Sequence, residues 1–149
     1  MKITGERTLA VPIDMVWASL FDPAILQQCI PGCESVTRES ESLYKAVTVV
    51  SIGPLRARFT GSLTIADARP PHACTLVFEG IGGAVGVARG SAQVSLREAG
   101  GDTVLSYEAD TQISGKLAQV GARLIDSVAR KLSADFFDRF ETAVIAAQA

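Results

Sequence analysis

The 149-residue chain is 48% hydrophobic and 20% charged, with a formal net charge of −2. Those proportions exclude intrinsic disorder, and the length sets one domain, residues 1–149, as the expectation. The mild negative charge and the lack of a basic–aromatic groove argue against nucleic acid as a partner, and no apolar run approaches the roughly 20 residues that span a bilayer.

Residues 2–11 alternate as a strand, with Ile3, Leu9 and Val11 on one parity. This opening does not read as a secretion signal, so a cytoplasmic protein is expected. Pro12 suits a helix start, and Val16, Trp17, Leu20 and Phe21 give a short amphipathic helix. Asp22-Pro23 restarts a second short helix, which Pro31-Gly32 ends.

The pattern then switches to period two. Strands are expected at 34–39, 43–52, 55–67, 73–81, 86–98 and 103–114, joined by turns rich in Gly and Pro. Such turns make an antiparallel meander. From residue 115 to 146 no proline intervenes, and Leu117, Val120, Leu124, Val128, Leu132, Phe136, Phe140 and Val144 recur mainly every fourth residue. That spacing predicts one long helix. A row of fours creeps about 40° per step, so its two ends must face different surroundings or the helix must bend. The 115–132 half is expected to cover a sheet, and Phe136, Phe137 and Phe140 to close one end of the core.

The fold class that follows is α+β. A curved antiparallel sheet of about seven strands wraps a long C-terminal helix, with two short helices after the first strand, the helix-grip arrangement.

Inward strand positions include Ala57, Gly61, Gly86, Ala88, Gly90, Ala92 and Ala109. Two arrangements fit such slight side chains. The helix can sit close on the sheet, or an apolar pocket can remain between them. Too few large residues are left to fill a deeply curved sheet, which favours the pocket.

Chemistry-bearing residues are sparse. His72, the one histidine, lies in a Pro-Pro turn. Three cysteines are an odd number, and Cys29 and Cys33 have no second pair or nearby histidine to complete a metal site. The run Gly80–Gly86 has the wrong spacing and setting for a dinucleotide loop. Glu79, Glu108 and Asp110 fall on the outward parity, whereas Tyr44, Thr48, Tyr107 and Thr111 face in. Lys116, Arg123 and Arg130 are seven apart, which puts them on one side of a continuous helix. They make either a solvated face or a docking stripe for anionic lipid or an acidic partner.

Several segments carry a family resemblance. They are Asp22-Pro23, Cys29-Ile30-Pro31-Gly32-Cys33-Glu34-Ser35, Ile52-Gly53-Pro54, Gly82-Gly83-Ala84, Arg89-Gly90-Ser91-Ala92, and above all Gly115-Lys116-Leu117-Ala118-Gln119 with Arg123-Leu124-Ile125-Asp126. Together they resemble the carbon monoxide dehydrogenase G-subunit family, within the START-like (SRPBCC) superfamily of helix-grip proteins. The resemblance implies a non-catalytic accessory of a molybdenum hydroxylase-type dehydrogenase, linking it to the membrane quinone pool through a transient, peripheral contact at the inner face of the plasma membrane. No covalently bound cofactor is expected. A quinone or another lipid is the expected ligand. Its pocket wall is expected from Trp17, Phe21, Tyr44, Phe59, Phe78, Tyr107, Leu117, Val120, Leu124 and Val128, with docking through Lys116, Arg123 and Arg130. No catalytic or metal-binding residue is expected. Two alternatives remain within the fold: a polyketide cyclase or dehydratase-like enzyme, and a pure protein-interaction module with a filled core.

Overall fold

The computed structural model describes residues 1–148. The chain runs β1 (Lys2–Leu9), α1 (Ile13–Leu20), α2 (Pro23–Cys29), β2 (Cys33–Arg38), β3 (Leu43–Ile52), β4 (Leu55–Arg69), β5 (Ala73–Ile81), a 3-10 turn (Gly83–Val85), β6 (Val87–Ala99), β7 (Asp102–Ser114), α3 (Lys116–Gln119) and α4 (Ala122–Gln148). All neighbouring strands pair antiparallel, in the order β1-β7-β6-β5-β4-β3-β2. This is the helix-grip sheet expected from the alternation, with two short helices after the first strand.

The local signals explain the ends of the short elements. The Pro12 carbonyl accepts from the Met15 and Val16 amides at 3.1 Å and opens α1. Asp22 caps α2 by accepting from the Ala24 amide at 2.9 Å, with Pro23 at the first helical position, where no amide hydrogen is needed.

The long helix differs from expectation. It is not continuous from 115 to 146. Gly121 has φ +97°, a left-handed conformation that ends a helix, and it separates α3 from α4. An isolated glycine within a helix-period pattern does not by itself announce this.

The dense core lies at one end of the molecule. Leu9, Val11, Ile13, Val16, Cys29, Leu96, Leu105, Phe140 and Val144 form one buried cluster, with Phe136 and Phe137 packed against it. The three phenylalanines therefore do close one end of the core. A buried hydrogen bond from Thr103 Oγ1 to the Val11 carbonyl, 2.6 Å, fixes the strand-to-α1 corner.

The small inward residues do not all serve one purpose. A Cβ on Gly90 would collide with the Asp110 carbonyl of the neighbouring strand, so this glycine permits a close backbone approach. Gly61 and Gly80 have ordinary room around them instead. Gly90→Ala is expected to force β6 and β7 apart and cost about 2–3 kcal/mol, read as a lower denaturation midpoint. Gly61→Ala should cost much less.

Candidate functional site: an apolar interior between sheet and helix

Two apolar pockets adjoin beneath α4. The upper one, about 460 Å³, lies between the inner faces of β3, β4 and β5 and the residues Leu117, Ile125, Val128, Ala129 and Leu132. The lower one, about 400 Å³, lies between α2, β5–β7 and Leu132, Ser133, Phe136 and Phe137. They share a wall made by Leu26, Ile30, Thr48, Val50, Leu63 and Leu132. Strand pleating makes this surface: every second residue of β3 from Tyr44 to Ile52 faces the upper pocket.

Seven of the ten expected wall residues border this space. Tyr44, Phe59, Phe78, Leu117 and Val128 line the upper pocket, and Phe21 and Tyr107 the lower. The other three lie elsewhere. Trp17 packs against the core cluster and meets the Phe21 ring edge-on at 4.9 Å. Leu124 rests on the β3–β4 turn, where a Cβ on Gly53 would come within 2.7 Å of its Cδ2. Val120 closes α3 just before the Gly121 break and is only half-buried.

Sequence reasoning missed Ile125, Ala129 and Leu132 as a wall. They fit the i, i+4, i+7 spacing of a helix face: Ile125 and Ala129 lie one position past Leu124 and Val128, and Leu132 belongs to the row of fours itself. Leu26 and Ile30 were missed because α2's place over the sheet is a tertiary fact.

The polar groups here are few and mostly engaged. The Tyr44 hydroxyl donates to the Phe21 carbonyl at 2.6 Å, and burial raises the phenol above its ordinary value despite the nearby Arg38 cation. Tyr107 lies across Gly5 and stacks on Phe137 at 5.9 Å. Burial also raises the Cys29 and Cys74 thiols, which keeps them protonated. Among the described residues Glu79 is the one carboxylate bordering either pocket, and it sits on the opposite strand parity from Phe78 and Gly80. Among the described residues no group of His, Cys, Asp and Glu is placed to hold a metal ion.

The charged stripe is not one face. The break at Gly121 separates Lys116 from Arg123 and Arg130. All three are exposed, but Arg130 Nε donates to Asp126 Oδ2 at 2.8 Å, and that bond raises its pKa further. Lys131 pairs with Asp135 at 3.0 Å in the same way. On the outer face, Arg58 grips both oxygens of Glu34 and holds that carboxyl below its usual range. Among the described residues no helix is long and apolar enough to cross a membrane.

A curved seven-stranded sheet, two short helices and a long closing helix over an apolar interior define a START-like helix-grip protein. Residues 5–145 match the family of the carbon monoxide dehydrogenase G subunit (CoxG), and the chain belongs to that family. Among curated proteins there is no match. The structure is similar to that of a conserved protein from Geobacillus kaustophilus, with a TM-score of 0.91 and 28% identity over 98% of this chain and 96% of that one. A START superfamily protein from Mycobacterium smegmatis gives a TM-score of 0.73 at 11% identity, over 97% of each chain. The ZhuI aromatase/cyclase from Streptomyces sp. R1128 gives 0.67 at 14% identity, over 97% of this chain and 93% of that one. The last two similarities establish shared fold alone.

Proposed function

We propose that this chain is a non-catalytic accessory of a molybdenum hydroxylase-type dehydrogenase, and that it carries an elongated apolar molecule, an isoprenoid quinone first of all, between that enzyme and the membrane quinone pool. The observation that carries the reading is the pair of adjoining apolar pockets between α4 and the sheet. Burying a polyprenyl chain there gains about 25 cal/mol per Å² of apolar surface, before the costs of ordering it. Family membership supports the link to a dehydrogenase. A cyclase would need an acid–base pair inside, and the walls supply mainly aliphatic and aromatic carbon. A filled interaction module is disfavoured by the same empty volume.

Solvent extraction of the purified protein followed by mass spectrometry should release a quinone. A menaquinone or ubiquinone analogue at a hundred times its dissociation constant should stabilise the fold by about 2.7 kcal/mol, a rise of roughly 5–10 °C in melting temperature. No extracted lipid together with no melting shift overturns the proposal.

A further inference from the structure

A trough crosses the inner face of the sheet. Ala46, Gly61, Gly80 and Ala88 are cross-strand partners in turn on β3, β4, β5 and β6, and all four border the upper pocket. Partners in register point to the same face. The floor of the pocket is therefore nearly bare backbone for about 14 Å at the usual strand spacing. Neither Gly61 nor Gly80 serves a turn or a close approach, since a Cβ on either would meet nothing nearer than 3.6 Å. Large side chains bank the trough on both sides. Tyr44, Leu63 and Phe78 make the row on one side, and Phe59 stands on the other. Inward positions four apart lie roughly 13 Å from one another along a strand, which leaves room between the banks for a flat ring resting on the floor.

Hydroxyls mark two corners of this trough. Thr111 ends the Tyr44 bank, because its partner Gly90 is also the partner of Phe78. It is only 9% exposed and borders the upper pocket. Thr48 pairs with Phe59 at the diagonal corner and borders the same pocket. Among the described residues neither hydroxyl takes part in a hydrogen bond. The Tyr44 hydroxyl differs, since it is spent on the Phe21 carbonyl. β6, β5 and β4 separate Thr111 from Thr48 in the sheet, so its curl brings the two hydroxyls to one pocket from different sides. A polar group surrounded by carbon and left unpaired is unfavourable, and an acceptor on a ligand relieves it.

We infer that the trough holds a flat conjugated ring with carbonyls on opposite edges, and that Thr111 donates to one carbonyl oxygen and Thr48 to the other. The attached chain runs past Leu63 and Leu132 into the lower pocket, where Leu76, Val94 and Leu105 cover the floor with side chains and suit a flexible tail instead. This rests on the carrier reading and adds to it the place and the orientation of the ring.

Infrared spectra and a pair of ligands decide it. The pair is a menaquinone analogue, which has ring and chain, and squalene, which is a chain alone. The carbonyl stretch of the bound analogue should lie below its position in hexane, as for any carbonyl that accepts a hydrogen bond. Thr111→Val should return one band toward the hexane position and weaken the analogue roughly fivefold, whereas Thr111→Ser should keep both properties of the parent. Thr48→Val should act in the same way on the other band. Gly61→Val or Ala88→Val fills the floor and should weaken the analogue on the order of tenfold, with far less effect on squalene. Thr60→Val, exposed on the outward parity of β4, is the control and should bind as the parent does. The parent's own spectrum carries the test if a floor variant misfolds. If the parent binds neither ligand, the carrier reading falls and takes this inference with it. If the parent binds the analogue with its carbonyl bands at the hexane position, or Thr111→Val and Gly61→Val bind it unchanged, the inference alone is overturned.

Discussion

Phe140→Ala is expected to cost about 3–5 kcal/mol of folding stability. Phe140 is fully buried, stacks on Phe136 at 5.6 Å, and belongs to the cluster that joins β1, α1, α2, β6, β7 and α4. Its loss leaves a cavity where elements from both ends of the chain meet, and rigid neighbours cannot collapse into it. For a domain of this size the melting temperature should fall by roughly 10 °C or more. Chemical denaturation should show the shift in midpoint without a large change in slope. Ile145→Ala, at a position 46% exposed on the same helix, should stay within about 0.5 kcal/mol. Similar losses at both positions would mean that the helix end is not packed as described.

Leu63→Trp should lower the affinity for a menaquinone analogue tenfold or more while leaving the protein folded. Leu63 stands on the wall shared by the two pockets, on the inward parity of β4 opposite Tyr44 and Phe78. An indole there projects into space that is empty, so the usual overpacking cost of about 1–3 kcal/mol should be reduced. Val77→Trp, on the outward parity of β5, is the control and should bind as before. Fluorescence titration of both variants checks this. Unchanged affinity in Leu63→Trp would place the ligand somewhere other than these pockets.

Most of the architecture was legible because it is local. Period-two stretches and their Gly and Pro turns marked the strands, and β3 and β5 appear with the expected limits of 43–52 and 73–81. Asp22-Pro23 marked α2 for the same reason, since a cap and a proline act on their own turn.

What was not legible depends on contacts between distant parts. Gly121 reads as a tolerable helix glycine until its positive φ is seen. Of the row of fours, Val128 and Leu132 border the upper pocket, but Leu124 turns to the β3–β4 turn and the adjacent row supplies Ile125 and Ala129. Trp17 has the size of a wall residue, yet the placement of α1 turns it against the core. The strand glycines divide into space-makers and close-approach sites only when the neighbouring backbone is known, as Gly61 and Gly90 illustrate.

The first strand has a bearing on how the protein is made. β1 pairs only with β7 in the sheet. Arg7 bonds Asp138 at 2.6 Å and the Ala10 amide bonds Glu141 at 2.7 Å, each across 131 residues of chain. Translation at about 5–20 residues per second therefore delivers this strand several seconds before its partners. The hairpins from β2 to β6 can zip as they leave the ribosome, but the sheet edge and its helical cover are completed only after β7 and α4 have emerged. Such distant pairing is slow, and during that wait the oily inner surface of the meander is open to chaperones, to lipid, or to another nascent copy.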